Sequence, residues 1–239
     1  MAKKQPPIQQ APPVQRIRLR YARRGAARFT SHRDFGRILE RALRRASIPM
    51  AYSSGFNPHP RISYANSAPT SAASEAEYVE LALAAECDPG KVQDALNAVM
   101  PRGLVFLDAA DAVRESLSDL LQASDWEVTL PQCPPGTLAG ALQTLLDSET
   151  QVVERMTKNG MRTFDVRAAV LDARATDDEH VVMRLQHLTP LVRPDDVMTV
   201  LRRLEPQIPA TRALLTRLRQ GPLGETGIED PLNLKSVEQ

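Results

Sequence analysis

The order of strand-like and helical segments in the first half of the chain constrains its fold more than any other feature. Arg16–Ala22 alternates apolar and basic residues with the period of a strand that has one buried face. Ser31 and Asp34 form a capping box that opens a helix to about Ser47, which Pro49 ends. The segments that follow are a strand near Met50–Tyr52, a strand at Glu77–Ala84, a helix from Asp88 to Met100 and a strand at Leu104–Leu107. The order β-α-β-β-α-β predicts a ferredoxin-like split motif.

The second half of the chain repeats this order of strands and helices less regularly. Its predicted strands are Trp126–Leu130, Gln151–Glu154, Phe164–Leu171, Val181–His187 and Thr211–Arg217, and its predicted helices are Pro135–Leu146 and Pro194–Leu204. We therefore predict an α+β protein with two tandem ferredoxin-like (βαββαβ) lobes. The predicted organisation is a disordered tail at 1–14, a basic lobe at 15–112, a linker helix at 113–124, a more acidic lobe at 125–218 and a flexible tail at 219–239.

Charge is separated along the chain although the net charge is only +1. Residues 1–64 hold 14 Lys or Arg against the two acids Asp34 and Glu40, and the other 175 residues hold 16 bases and 27 acids. A basic segment followed by an acidic one favours a polyanion partner at the basic end.

Several classes of protein are disfavoured by composition. Cys87 and Cys133 are too few for a disulfide framework and too far apart in sequence for a metal knuckle. No run approaches the ~20 apolar residues of a membrane helix, and the basic start lacks the apolar segment of a signal peptide. We expect a cytoplasmic protein with no membrane partner and no cofactor.

Four arginines fall together on one face of the first predicted helix, at about 100° per residue. This arginine row consists of Arg33, Arg37, Arg41 and Arg44, with only Glu40 available to compensate. Like charges at this spacing repel each other, and the arginine fork binds phosphate in two places at once, so the row predicts an RNA-binding surface. The alternative is that arginine is a general surface residue here, because most charge runs are solvated faces. The opposite face of this helix is apolar: Phe35, Ile38, Leu39, Ala42, Leu43 and Ala46.

Six further arginines precede the helix without an acid among them: Arg16, Arg18, Arg20, Arg23, Arg24 and Arg28. In a ferredoxin-like lobe the helices cover one sheet face, so the strand arginines would point to the other. Glu80 is expected on the outward face of its own strand, where it could neutralise one of these arginines. The strand arginines would then have a structural role.

Ser53–Arg61, called the proline loop below, is the most distinctive local sequence. Pro58 and Pro60 stiffen the backbone around His59, while Gly55 frees it earlier in the loop. Phe56 is a candidate for stacking on a base, and His59 and Arg61 are candidates for RNA contact. The alternatives are that Phe56 fills the core and that the prolines only shape the crossover.

These residues together resemble a known family, the radical-SAM-linked family of uncharacterised bacterial proteins. The resemblance lies in Arg18–Tyr21, Phe29–Asp34, Tyr52–Ser63 and Ser74–Tyr78. Members of that family are often fused to a radical SAM protein or encoded beside one, and often near genes for a ribonuclease E/G-type enzyme and ribosomal proteins. The resemblance implies RNA or ribosome biology.

The chain departs from that family in two places. A glycine is usual before Ser74, where this chain has Thr70–Ala73. The chain also lacks the Cys-x3-Cys-x2-Cys pattern that ligates an iron–sulfur cluster. Any radical chemistry would therefore belong to a separate protein acting in trans.

Three functions remain as hypotheses. The first is a non-catalytic protein that binds structured RNA or the ribosome, with no preference for DNA predicted. The second is an accessory or substrate-presenting subunit of a separate radical SAM enzyme. The third is a metal-independent endoribonuclease, in which His32 and His59 serve as general acid and base. His180 and His187 lie on a predicted strand without ligand spacing and are expected to be structural.

Overall fold

The computed structural model describes residues 9–157 and 160–234. The described chain divides into two compact units: unit 1 comprises residues 9–120 with 230–234, and unit 2 comprises residues 121–229. Most of the predicted tail at 1–14 lies outside the described residues, and residues 9–14 form neither helix nor strand. Both units contain helices and strands, which confirms the α+β class.

Unit 1 contains four strands that pair antiparallel in the order β4-β1-β3-β2. Its elements are β1 (Gln15–Arg23), a 3-10 turn (Gly25–Phe29), α1 (His32–Arg45), β2 (Ile62–Ala65), β3 (Ala73–Leu83), α2 (Pro89–Asn97), β4 (Leu104–Asp111) and α3 (Leu117–Leu120). The alternation in β1 sends Ile17, Leu19 and Tyr21 into the core and the intervening arginines to the opposite sheet face. Phe35 of α1 stacks on Tyr21, with ring centroids 4.3 Å apart.

The second strand of unit 1 is displaced from its predicted position. Met50 and Tyr52 form only isolated bridges, to Leu83 and Pro60, whereas the continuous strand is β2. Ile62 and Tyr64 of β2 pack against the core while Ser63 is exposed. The prediction at Met50–Tyr52 was wrong. β2 has only four residues and directly follows a proline-rich loop, so its alternation of apolar and polar residues is hard to recognise in the sequence.

Unit 2 contains four strands that pair antiparallel in the order β10-β5-β9-β8 and a separate hairpin of β6 with β7. Its elements are β5 (Ala123–Thr129), α4 (Thr137–Asp147), β6 (Val152–Thr157), β7 (Gly160–Asp165), α5 (Val166–Ala169), β8 (Val170–Ala175), β9 (His180–Gln186), α6 (Pro194–Leu204), β10 (Leu214–Gly221), β11 (Leu223–Gly224) and β12 (Gly227–Ile228).

Three predicted segments differ from the observed elements. The strand predicted at Phe164–Leu171 is broken by α5, because the Asp165 carboxylate accepts hydrogen bonds from the backbone N–H of Arg167 and Ala168 and caps a helical turn there. The predicted linker helix at 113–124 is reduced to α3, and β5 already begins at residue 123. The predicted flexible tail begins too early, because β10 continues to residue 221 and β11 pairs with β12.

The turn before Ser74 contains no glycine, yet one of its residues has a backbone conformation typical of glycine. Ser71 has a φ of 84°, in the left-handed region that ordinary residues seldom adopt. Its N–H donates to the Arg28 carbonyl at 2.8 Å, and its own carbonyl accepts from Arg28 Nε at 2.6 Å. These two bonds hold the turn against the segment that leads into α1.

Across the described residues, no helix has the length and apolar character needed to cross a membrane.

Candidate nucleic-acid interface

α1 presents one face to the core and the other to solvent. Ser31 caps the helix, because its hydroxyl oxygen accepts a hydrogen bond from the Asp34 N–H at 3.1 Å. Phe35, Leu39, Ala42 and Leu43 are buried. All four side chains of the arginine row are exposed: Arg33, Arg37, Arg41 and Arg44.

The arginine row is almost unneutralised by the described part of the protein. Arg37 lies 3.9 Å from Asp34, and both side chains of that pair are more than half exposed, so the interaction is weak. Within residues 9–157 and 160–234, no carboxylate lies within 4.0 Å of Arg33, Arg41 or Arg44. Apart from this weak contact with Asp34, no acidic side chain of the described residues forms an ion pair with the row.

Glu40, the acid expected to compensate the row, has its resolved electrostatic effect on a different group. It is half-buried and acts on Tyr64 of β2, where burial and the Glu40 carboxylate raise the pKa of the phenol to about 12. Tyr64 therefore stays protonated at neutral pH. No ion pair joins Glu40 to an arginine of the row among the residues that the structure describes.

The strand arginines are neutralised, in contrast to the arginine row. Glu80 accepts from Arg18 Nε at 2.9 Å and from Arg16 Nη1 at 2.7 Å. The other pairs are Arg20 with Asp230 at 3.5 Å, Arg23 with Glu77 at 3.9 Å, and Arg24 with Glu75. Because β1 directs Arg16, Arg18 and Arg20 away from the face that α1 covers, these three side chains do not extend the arginine row. They are structural residues.

The proline loop is fastened at its base and exposed at its tip. Ser53 N–H donates to the His59 carbonyl at 2.9 Å, and Ser53 Oγ accepts from the His59 N–H at 3.1 Å. Arg61 N–H donates to the Ala51 carbonyl at 2.8 Å, which returns the chain to the edge of the sheet ahead of β2. Phe56 is 67% exposed, so it does not fill the core. The loop can therefore present an aromatic ring to a ligand.

His59 and Arg61 remain available for contact with a ligand. His59 is exposed and Arg61 is half-buried. In the described part of the chain, no carboxylate lies within 4.0 Å of Arg61. The structure thus places three candidate contacts on one loop: Phe56, His59 and Arg61.

His32 and His59, the candidate catalytic pair, make separate contacts. The His32 ring contacts Tyr64 edge to face, with centroids 4.8 Å apart, while the polar contact of His59 is made by its backbone with Ser53. Within the described ranges, no hydrogen bond or ring contact joins the two histidines.

Two exposed side chains near the arginine row were not predicted as site residues. Arg45 follows Arg44 at the end of α1 and is exposed. Phe29 ends the 3-10 turn before α1 and is 62% exposed. Phe35 fits the helical spacing of apolar residues in α1, whereas Phe29 precedes the helix and does not. This difference is the one sequence signal that distinguishes Phe29 from the core phenylalanine.

The histidines of unit 2 have structural partners. Asp177 raises the pKa of His180 by accepting a hydrogen bond from it. Burial lowers the pKa of His187, whose ring lies 2.5 Å from the Leu121 carbonyl and 2.9 Å from Ser124 Oγ. In residues 9–157 and 160–234, no three side chains of His, Cys, Asp or Glu converge as metal ligands.

The fold and the site define an α+β protein with an exposed cationic helix face. Residues 16–194 match the sequence profile of a family described as an uncharacterized protein conserved in bacteria (DUF2344), and the chain belongs to that family. The matched segment includes the whole arginine row and the whole proline loop. A search of curated proteins gave no match.

Proposed function

We propose that this protein is a non-catalytic RNA-binding protein that holds structured RNA or ribosomal RNA through the arginine row and the proline loop. One observation carries the proposal: the arginines of β1 are matched by carboxylates, whereas Arg33, Arg41 and Arg44 have none within 4.0 Å in the described chain. A protein that neutralises the arginines of β1 and leaves one helix face cationic has a face suited to an external anion.

The spacing of the row suits the backbone of a nucleic acid. Arg33 and Arg44 are eleven residues apart, which is roughly 16 Å along a helix. Phosphates repeat along a nucleic-acid strand, and guanidinium groups bind them through paired, charge-assisted hydrogen bonds. The row therefore offers several phosphate contacts along one line, while Arg61 and His59 of the proline loop offer further polar contacts.

The family resemblance implies RNA or ribosome biology and therefore favours RNA among the possible polyanions. The motif residues Phe29, His32, Phe56 and His59 are exposed, so core packing does not account for their presence in the motif. Exposed residues on loops and helix ends that do not support the fold are typical of binding surfaces.

Each unit is further proposed to be a ferredoxin-like lobe. Unit 1 runs β1-α1-β2-β3-α2-β4 with the strand order β4-β1-β3-β2. Unit 2, apart from α5 and the β6–β7 hairpin, runs β5-α4-β8-β9-α6-β10 with the strand order β10-β5-β9-β8. In both units the strands lie in the order fourth, first, third, second, which supports a tandem pair of split motifs.

Crosslinking in cells tests the proposed function. We expect ultraviolet irradiation to attach RNA to the wild-type protein, with attached peptides drawn from residues 29–45 and 53–61. Sequencing of that RNA identifies the target. Recovery of no more RNA than with an acidic control protein would contradict the proposal, as would crosslinks confined to residues 121–229.

The resemblance to the radical-SAM-linked family supports a second, narrower candidate function, an accessory subunit of a separate radical SAM enzyme. The same exposed motif residues would then contact that enzyme. We expect affinity purification under reducing conditions to recover a protein with a Cys-x3-Cys-x2-Cys motif. Purification that recovers ribosomal components and no such protein would reject this candidate while leaving RNA binding intact.

A further inference from the structure

Two of the five phenylalanines of the chain are exposed; one lies in the 3-10 turn before α1 and the other in the proline loop. Phe35, Phe106 and Phe164 are buried, whereas Phe29 is 62% and Phe56 67% exposed. A phenylalanine left in water forgoes the favourable free energy of burial. Isolated exposed apolar residues are common, so exposure alone does not indicate a site. The evidence for a binding site is the set of contacts that position each phenylalanine and the residues around it.

The Phe29 ring is supported on one side by an anchored arginine. The Arg28 guanidinium lies over the ring, 5.6 Å from its centroid. Arg28 is itself fixed, because its Nε donates to the Ser71 carbonyl at 2.6 Å and its own carbonyl accepts from Arg23 Nη2 at 2.9 Å. The ring remains largely exposed despite this contact. Phe29 is therefore held beside α1 with surface available for a second stacking partner.

The backbone that carries Phe56 is closed by the hydrogen bonds of the proline loop between Ser53 and His59. A further bond from the Gln10 N–H to Ser54 Oγ, 2.9 Å long, fixes the side of the loop next to Phe56. Phe56 and Asn57 are exposed at the tip. The loop thus displays the ring on a closed backbone, which lowers the entropy cost of ordering it against a ligand.

From these two rings we infer that the RNA bound by this protein carries unpaired nucleotides whose bases stack on Phe29 and Phe56, while the arginine row holds phosphates of the same RNA. The inference rests on the proposed function and specifies its ligand. Stacking on an aromatic side chain requires an unstacked base, which single strands and loops provide and a continuous duplex does not. Arginine contacts alone would not distinguish the two forms of RNA.

Fluorescence anisotropy with two labelled RNAs tests this inference: a uridine-rich stem–loop and a blunt duplex of the same length. We expect wild-type protein to prefer the stem–loop. Phe29→Ala and Phe56→Ala should each weaken stem–loop binding by roughly tenfold, because loss of one stacked base costs between about 5- and 150-fold in affinity. Duplex binding should stay unchanged in both variants.

Matched variants separate stacking from apolar contact. Phe29→Tyr and Phe56→Tyr keep an aromatic face and should retain stem–loop affinity, whereas Phe29→Leu and Phe56→Leu should lose it. Both positions are exposed, so unchanged melting temperatures are expected for all variants.

Each result of this experiment has a defined meaning. If wild-type protein binds neither RNA, the proposed function and the inference both fail. If wild-type protein binds both RNAs equally and the alanine variants match it, the inference alone fails. Leucine variants that bind as well as wild type would overturn base stacking in favour of a general apolar contact.

Discussion

Replacing Glu80 with glutamine is expected to lower the free energy of unfolding by about 3–5 kcal/mol, the cost of leaving a buried charge without its partner. Arg18 is only 2% exposed, and its Nε donates to the Glu80 carboxylate at 2.9 Å. Nη2 donates to the carbonyls of Val113 and Glu115, whereas Nη1 is buried with no hydrogen-bond partner in the described structure. The Glu80 carboxylate is therefore the counter-charge that permits burial of Arg18.

A comparable pair on the surface provides the control. Arg24 and Glu75 form a two-point ion pair, and Glu75 raises the pKa of Arg24, but both side chains are substantially exposed. Glu75→Gln should therefore cost less than about 1 kcal/mol. Urea unfolding followed by circular dichroism measures both variants. Equal losses for Glu80→Gln and Glu75→Gln would refute the structural role assigned to the strand arginines.

The double charge reversal Arg37→Glu with Arg41→Glu should weaken RNA binding by at least about a hundredfold, roughly 3 kcal/mol. Each charge-assisted hydrogen bond contributes about 1.5–3 kcal/mol, and the new carboxylates repel phosphate as well. Neither arginine is buried, so the melting temperature should change little. Removal of Arg37 also leaves Asp34 without its weak ion pair, which costs little for exposed groups.

Arg102→Glu with Arg114→Glu is the matched control for that reversal. Both arginines are exposed, belong to unit 1 and lie outside α1 and the proline loop. This control changes the net charge by the same amount and should weaken RNA binding far less. Equal losses in the two double variants would show that net charge, and not the arginine row, determines affinity.

Sequence patterns predicted the elements whose signals are local. The alternation of Ile17, Leu19 and Tyr21 predicted β1 and its buried face. Ser31 and Asp34 predicted the start of α1, and the bounds predicted for the last helix, Pro194–Leu204, match α6. Each of these signals arises within a few residues, so tertiary structure was not needed to interpret it.

The errors arose where distant contacts decide the outcome. β2 is a strand because it pairs with β3, and its four residues give too little alternation to stand out beside the proline loop. α5 interrupts a run of strand-forming residues because the Asp165 carboxylate caps it, and that carboxylate also accepts a hydrogen bond from the Gln151 N–H, 14 residues away. Pairing partners and side-chain caps of this kind depend on the folded geometry.

The candidate site was predictable in part. The helical period separated Arg33, Arg37, Arg41 and Arg44 from the core face, and the structure keeps that separation. Strand parity indicated Glu80 as a partner for a strand arginine, whereas the pair of Glu77 with Arg23 was not predicted, because it depends on the register between paired strands. The exposure of Phe29 and Phe56 also depends on tertiary packing, since the same residue type fills the core at Phe35.

The salt dependence of RNA affinity tests most directly whether the exposed guanidinium groups of α1 bind phosphates. With four contacts, the slope of log K against log salt for wild-type protein should be about −3, since each phosphate contributes roughly −0.7 to −0.9. The slope should fall to about half that value in Arg37→Glu with Arg41→Glu and remain near −3 in the Arg102 and Arg114 control. A slope that is the same in all three proteins would contradict the assignment of this helix face as the phosphate-binding surface.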